Sequence, residues 1–69
     1  MQRIPVTSTN IHSVGYSPDS QTLEVEFHNG TVYQYFEVPS DVHEALMSAA
    51  TKGGFFNANI KGRYQHTKL

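Results

Sequence analysis

The chain has 69 residues, enough for one domain with a thin core. It contains no cysteine, which excludes disulfides, thiolate nucleophiles and cysteine-ligated zinc. A formal net charge of −1 argues against both a strongly basic nucleic-acid binder and an acidic solvating tail.

Residues 1–10 read as an N-terminal extended arm and residues 11–69 as a single domain. Pro5 lacks a backbone N–H and confines the apolar group Ile4-Pro5-Val6 to a sheet edge or an extended lead-in. Ile11–Ser17 is a strand candidate. Ser17-Pro18-Asp19-Ser20 carries turn chemistry, because proline presets φ while Asp and Ser satisfy local backbone groups. Leu23-Glu24-Val25-Glu26-Phe27 alternates apolar and acidic residues, the period of a half-buried strand. Asn29-Gly30 suits a two-residue type I′ turn, and Thr31–Val38 is rich in β-branched and aromatic residues.

A two-residue turn sets Phe27 opposite Val32, Glu26 opposite Tyr33, Glu24 opposite Tyr35 and Leu23 opposite Phe36. One face then carries Leu23, Val25, Phe27, Val32 and Phe36, interrupted by Gln34. The other carries Glu24, Glu26, His28, Tyr33, Tyr35 and Glu37. A loop over Pro18–Gln21 docks the earlier strand, with Tyr16 beside Leu23 and Val14 beside Val25.

After Pro39, Ser40 reads as a helix N-cap with Asp41 in the first turn. Val42, Ala45, Leu46 and Ala49 form one apolar stripe that should cover the apolar sheet face, and Gly53-Gly54 closes the helix. Phe56 and Ile60 allow a second short helix, followed by a tail over residues 63–69. The expected fold is α+β: a three-stranded antiparallel meander packed against one helix, then a second short helix and the C-terminal tail.

Chemistry-bearing patterns are sparse. None of His12, His28, His43 and His66 forms a His-x-x-x-His pair, and the register above sends His12 and His28 to opposite faces, so no metal and no cofactor are expected. Glu24 and Glu26 share a face, but a carboxylate hydrolase needs a cleft, and this remains the third reading. Gly53-Gly54 lacks the Lys-Ser/Thr of a phosphate loop. Tyr33 and Tyr35, two apart, fall on one face. Either the second helix or the tail covers them as a minor core, or they form a stacking platform for bases, against which Glu24 and Glu26 would count.

The charge is segregated. Residues 1–51 hold Arg3 and all six acidic residues, a net −5, whereas residues 52–69 hold Lys52, Lys61, Arg63 and Lys68 with no acid, a net +4. Tyr64 and His66 are interleaved with these cations, which suits phosphate and base contact. The alternative is that the basic tail docks on the acidic strand face.

The run Ser13-Val14-Gly15-Tyr16, the pattern from Leu23 through Tyr33, Tyr35 and Val38-Pro39, and then Gly53, Phe56, Asn57, Ile60 and Lys61 resemble the KTSC domain. That domain occurs at the C-terminus of some lysyl-tRNA synthetases and as small stand-alone bacterial proteins. Many members carry Ser just after the first helix, where this chain has Thr51. The resemblance implies an association with RNA and transfers no catalytic residue. It marks Gly53, Phe56, Asn57 and Ile60 as motif positions, structural or binding.

The expectation is a non-catalytic binding module for RNA or single-stranded nucleic acid, using Tyr33, Tyr35, Lys52, Lys61, Arg63, Tyr64 and Lys68. A protein-interaction module is the alternative, its partner and oligomeric state left open by the sequence. With no apolar run near the roughly 20 residues of a membrane span, no signal-peptide pattern and no cysteine, the protein is expected in the cytoplasm and off the membrane.

Overall fold

A computed structural model describes residues 1–69. Five strands form one antiparallel sheet in chain order: β1 (Arg3–Pro5), β2 (Ile11–Ser17), β3 (Thr22–Phe27), β4 (Val32–Tyr35) and β5 (His66–Lys68). Helices α1 (Ser40–Ser48) and α2 (Lys52–Asn59) lie between β4 and β5. The class is α+β as expected, but the meander has five strands. The N-terminal segment pairs with β2, Arg3 facing Gly15, and the C-terminal tail pairs with β4, His66 facing Tyr35. No helix is long and apolar enough to cross a membrane.

The β2–β3 pairing follows the sequence reading, with Ser17 facing Thr22, Tyr16 facing Leu23 and Val14 facing Val25. Only a bulge between Ile11 and Ser13 departs from it. By adding one residue the bulge turns His12 toward the hairpin, so the His12 and His28 rings lie 5.5 Å apart instead of on opposite faces.

The β3–β4 register differs from expectation by one residue. Val25 faces Tyr33, Leu23 faces Tyr35, Glu24 faces Gln34 and Glu26 faces Val32. The cause is the turn. Phe27 and Thr31 close a three-residue loop, with Phe27 N–H donating to Thr31 O at 2.9 Å and Gly30 N–H to Phe27 O at 2.9 Å. Gly30 alone takes a positive φ, +89°, while Asn29 Oδ1 accepts the Thr31 N–H at 3.0 Å as an Asx turn. Asn-Gly serves this geometry as well as the two-residue one. A slip of one residue exchanges the faces of a whole strand. Tyr33 and Tyr35 therefore join Leu23 and Val25 on the helix side, and Val32 leaves it. Phe36 lies beyond the end of β4 and is exposed.

The core consists of Ile11, Val14, Leu23, Val25, Tyr35, Val38, Leu46, Phe56 and Ile60, so both helices contribute. In α1 the packed side runs through Val42, Leu46 and Met47, whereas Ala45 is exposed. His43 belongs to this side as well, its ring stacked on Tyr16 at 4.5 Å and 8°. Ser40 is the first helical residue and not the cap. Pro39 precedes it in extended conformation, and the Pro39 carbonyl accepts the N–H groups of Val42 and His43. The helix ends at Ala49, ahead of the glycines.

Gly53 and Gly54 instead lie in the first turn of α2. A Cβ at Gly53 would overlap Asn10 Oδ1, so glycine here lets the Asn10 side chain lie against the start of α2. Ile60 caps α2 and is fully buried.

Candidate functional site

On the sheet face away from the helices the polar side chains satisfy one another. Glu24 is 7% exposed. It is ion-paired with Arg3 and accepts the Gln34 amide N–H at 2.9 Å. Arg3 also lies 3.6 Å from Glu26, and the Ser13 hydroxyl donates to Glu26 at 3.0 Å. Burial alone would raise the Glu24 carboxyl. Hydrogen bonds from Gln34 and Arg3, with the Arg3 charge, outweigh burial and hold it below the usual carboxylate range.

The two carboxylates of the acidic strand face are thus both paired with the N-terminal Arg3, and the basic C-terminal segment forms no ion pair there. The only ion pairs are those of Arg3 with Glu24 and Glu26. Lys52 donates to Ala49 O at 3.1 Å and Arg63 to Ala58 O at 3.2 Å. The Lys61 and Lys68 ammonium groups bond to no protein group, and both residues are exposed.

The other side of the sheet carries an aromatic cluster. Tyr35 meets Phe56 edge-on at 5.4 Å and 78°, and Phe27 meets Phe56 at 5.5 Å and 71°. Tyr33 packs edge-on against Phe27 at 6.1 Å and lies 6.3 Å from Tyr35, while His66 approaches both tyrosines, at 5.7 and 5.4 Å. These rings line a cleft of about 270 Å³, completed by Asn10, Asn57, Lys61 and Gly62.

The tyrosines are thus neither a bare platform nor a minor core on a second face. They belong to the main core, under α2, with one side turned to a cleft. Tyr35 is 4% exposed, yet its hydroxyl has no protein partner. No buried side-chain nitrogen or oxygen lacks a partner, so this hydroxyl must reach the cleft. Burial, then the neighbouring Tyr33, push the Tyr35 phenol above its ordinary value, so it stays protonated and able to donate. Glu24 and Glu26 face the opposite side of the sheet, and no carboxylate lines the cleft.

Of the residues singled out by sequence, Tyr33, Tyr35, Phe56, Asn57 and Lys61 meet in this cleft. Gly53 stands behind it against Asn10, and Ile60 lies in the core. Arg63 and Tyr64 lie in a separate hollow with Phe36 and Glu37. Lys68 sits on β5 opposite Tyr33, and Lys52 is turned back onto the end of α1. Asn10, Phe27 and Gly62 complete the cleft without having been singled out for it, together with His66, noted in the sequence only as interleaved with the C-terminal cations. His66 had a signal, being one strand step from Lys68. Asn10, a polar residue before a strand, had none. No group of three or more His, Asp or Glu side chains gathers anywhere.

Comparison with known proteins shows what the chain is similar to. The KTSC domain profile matches residues 7–64. An uncharacterized protein of Stutzerimonas stutzeri is 41% identical over 64 residues, which cover 93% of this chain and 90% of that protein. A lysine–tRNA ligase of Nostoc sp. is 42% identical over 59 residues, covering 86% of this chain but only 10% of the enzyme. The crystal structure of a KTSC domain protein from Yersinia pestis superimposes with a TM-score of 0.94 at 46% identity, covering 99% of this chain and 96% of that one. With a match over most of its length and a common fold, the chain belongs to the KTSC domain family.

Proposed function

We propose that the protein is a non-catalytic binding module for single-stranded nucleic acid, RNA in the first instance, acting in the cytoplasm. It takes an unpaired base in the cleft between Tyr33, Tyr35 and Phe56 and a phosphate on Lys61. The observation that carries this reading is the Tyr35 hydroxyl. It belongs to a buried ring, has no partner in the protein, and opens onto an aromatic cleft beside an unpaired cation. Rings supply stacking and edge contacts to a base, convergent polar groups orient it, and a free ammonium meets the backbone. The likeness to part of a lysine–tRNA ligase supports the choice of RNA, since that enzyme acts on a tRNA by its name.

The test is a titration of isotope-labelled protein with short single-stranded RNA, following amide shifts. Shifts should gather at Tyr33, Tyr35, Phe56 and Lys61, and Lys61→Ala should weaken binding. Log affinity should fall with log salt by about 0.7 per phosphate held. An RNA that leaves these four residues unshifted at low salt overturns the reading.

A further inference from the structure

The polar lining of the cleft has a hydrogen-bonding direction set by the fold. Ser8 Oγ accepts the backbone N–H of Asn10 at 3.4 Å and of Ile11 at 3.3 Å. Its lone pairs are then used, and its own proton goes to the Asn10 side chain at 3.0 Å. That bond identifies Oδ1 as the carbonyl end of the amide, and Gly53 leaves the space in which it lies.

Asn10 Nδ2 has no acceptor in the protein, although Asn10 lines the cleft. Lys61 is likewise a donor with no protein acceptor. The Tyr33 and Tyr35 hydroxyls rotate to suit either role, and exposed Asn57 turns freely at the rim. The His66 ring takes either role by its tautomer, so the lining side-chain groups of fixed polarity, Asn10 Nδ2 and Lys61, are both donors.

Lys61 is exposed and Asn10 half-buried at the same cleft, and the pose considered sets the phosphate on Lys61 and the far edge of the base at Asn10. A cleft of about 270 Å³ falls just below the range for drug-sized ligands and takes one such unit.

We propose that Asn10 sets the base preference of this cleft: it accepts a base that turns a carbonyl oxygen toward Asn10 Nδ2, uracil over cytosine. Uracil offers O4 at that edge, whereas cytosine offers an N4 amino group and would set donor against donor. The proposal rests on the nucleic-acid reading above and adds to it the identity of the base and the residue that reads it.

The experiment compares the affinity of the full chain for hexauridylate, hexacytidylate and an abasic hexamer. Hexauridylate should bind about tenfold more tightly than hexacytidylate, the factor for one hydrogen bond replaced by a clash of donors, and the abasic hexamer most weakly. Asn10→Asp keeps the bond from Ser8 and substitutes an acceptor for the free donor. It should weaken both oligomers and invert their ratio. Ser8→Ala frees the amide to turn over and should bring the ratio toward one, and it decides the matter if Asn10→Asp fails to fold.

Equal affinity for the two pyrimidine hexamers, or an abasic hexamer that binds as well as hexauridylate, overturns this proposal and leaves nucleic-acid binding standing. A ratio unmoved by both variants overturns it as well. No binding of any hexamer overturns the nucleic-acid reading itself, and this proposal with it.

Discussion

The Tyr35 ring stands edge-on to Phe56, centroids 5.4 Å apart at 78°, and this contact joins β4 to α2. Phe56 also meets Phe27, so one side chain holds two strands and a helix together. Phe56→Ala should cost about 3–5 kcal/mol, a large part of the 5–15 kcal/mol typical of a folded domain. Phe56→Leu keeps most of the volume and should cost under about 1.5 kcal/mol. Urea unfolding of both variants checks the difference.

Removing the Tyr35 hydroxyl separates fold from binding. Since it bonds to nothing in the protein, Tyr35→Phe should change stability by no more than about 0.5 kcal/mol. If the hydroxyl serves a ligand, the same change should weaken RNA binding by about five- to tenfold. Thermal unfolding and an RNA titration on one preparation read the two effects independently.

Gly53 is required by a neighbour and not by its backbone angles. Gly53→Ala should destabilise by about 1–3 kcal/mol, because the new methyl group overlaps the Asn10 side chain. In an Asn10→Ala background the obstruction is gone and the same substitution should be close to neutral. A double-mutant cycle by denaturant unfolding measures the coupling, expected at about 1 kcal/mol or more.

Acid should weaken the fold through two groups. Burial, opposed by Glu44, holds the His43 imidazole below its ordinary pKa, so the unfolded chain binds its proton first. Stability from this group is complete above the unfolded value of about 6.5 and is lost as pH falls through the lower folded value. Glu24 is also depressed in the fold. Its contribution is complete above the unfolded carboxylate value of about 4.3 and is lost as pH falls through its own lower value. His43→Gln should flatten the first limb and Glu24→Gln the second, as read from unfolding midpoints across the acid range.

Where the sequence was informative, local chemistry decided the structure. Ser17-Pro18-Asp19-Ser20 leads into a loop whose closing pair, Ser17 and Thr22, follows from turn residues and alternation alone. The second hairpin was open because Asn-Gly satisfies two loop lengths. The choice between them rests on which face packs best once the helices are present. With Tyr33 and Tyr35 inside, the aromatic rings meet Phe56 and the hydroxyls have a cleft to reach; strand alternation contains neither fact. Gly53-Gly54 looked like a helix stop because the crossing of Asn10, more than forty residues earlier in the chain, is invisible locally. Half of the cleft was legible as aromatic and basic residues. The remainder, Asn10 above all, became part of it only through long-range packing.

The two ends of the chain form the two borders of the sheet, β1 and β5, with three strands between them. Four strand spacings set these borders roughly 19 Å apart. The strands that line the cleft are β3, β4 and β5, with Asn10 reaching it from just before β2, and the first residues run along the far border. A polypeptide joined ahead of Met1 would leave from that far border, so the domain can hang from a larger neighbour as a pendant with its mouth unobstructed.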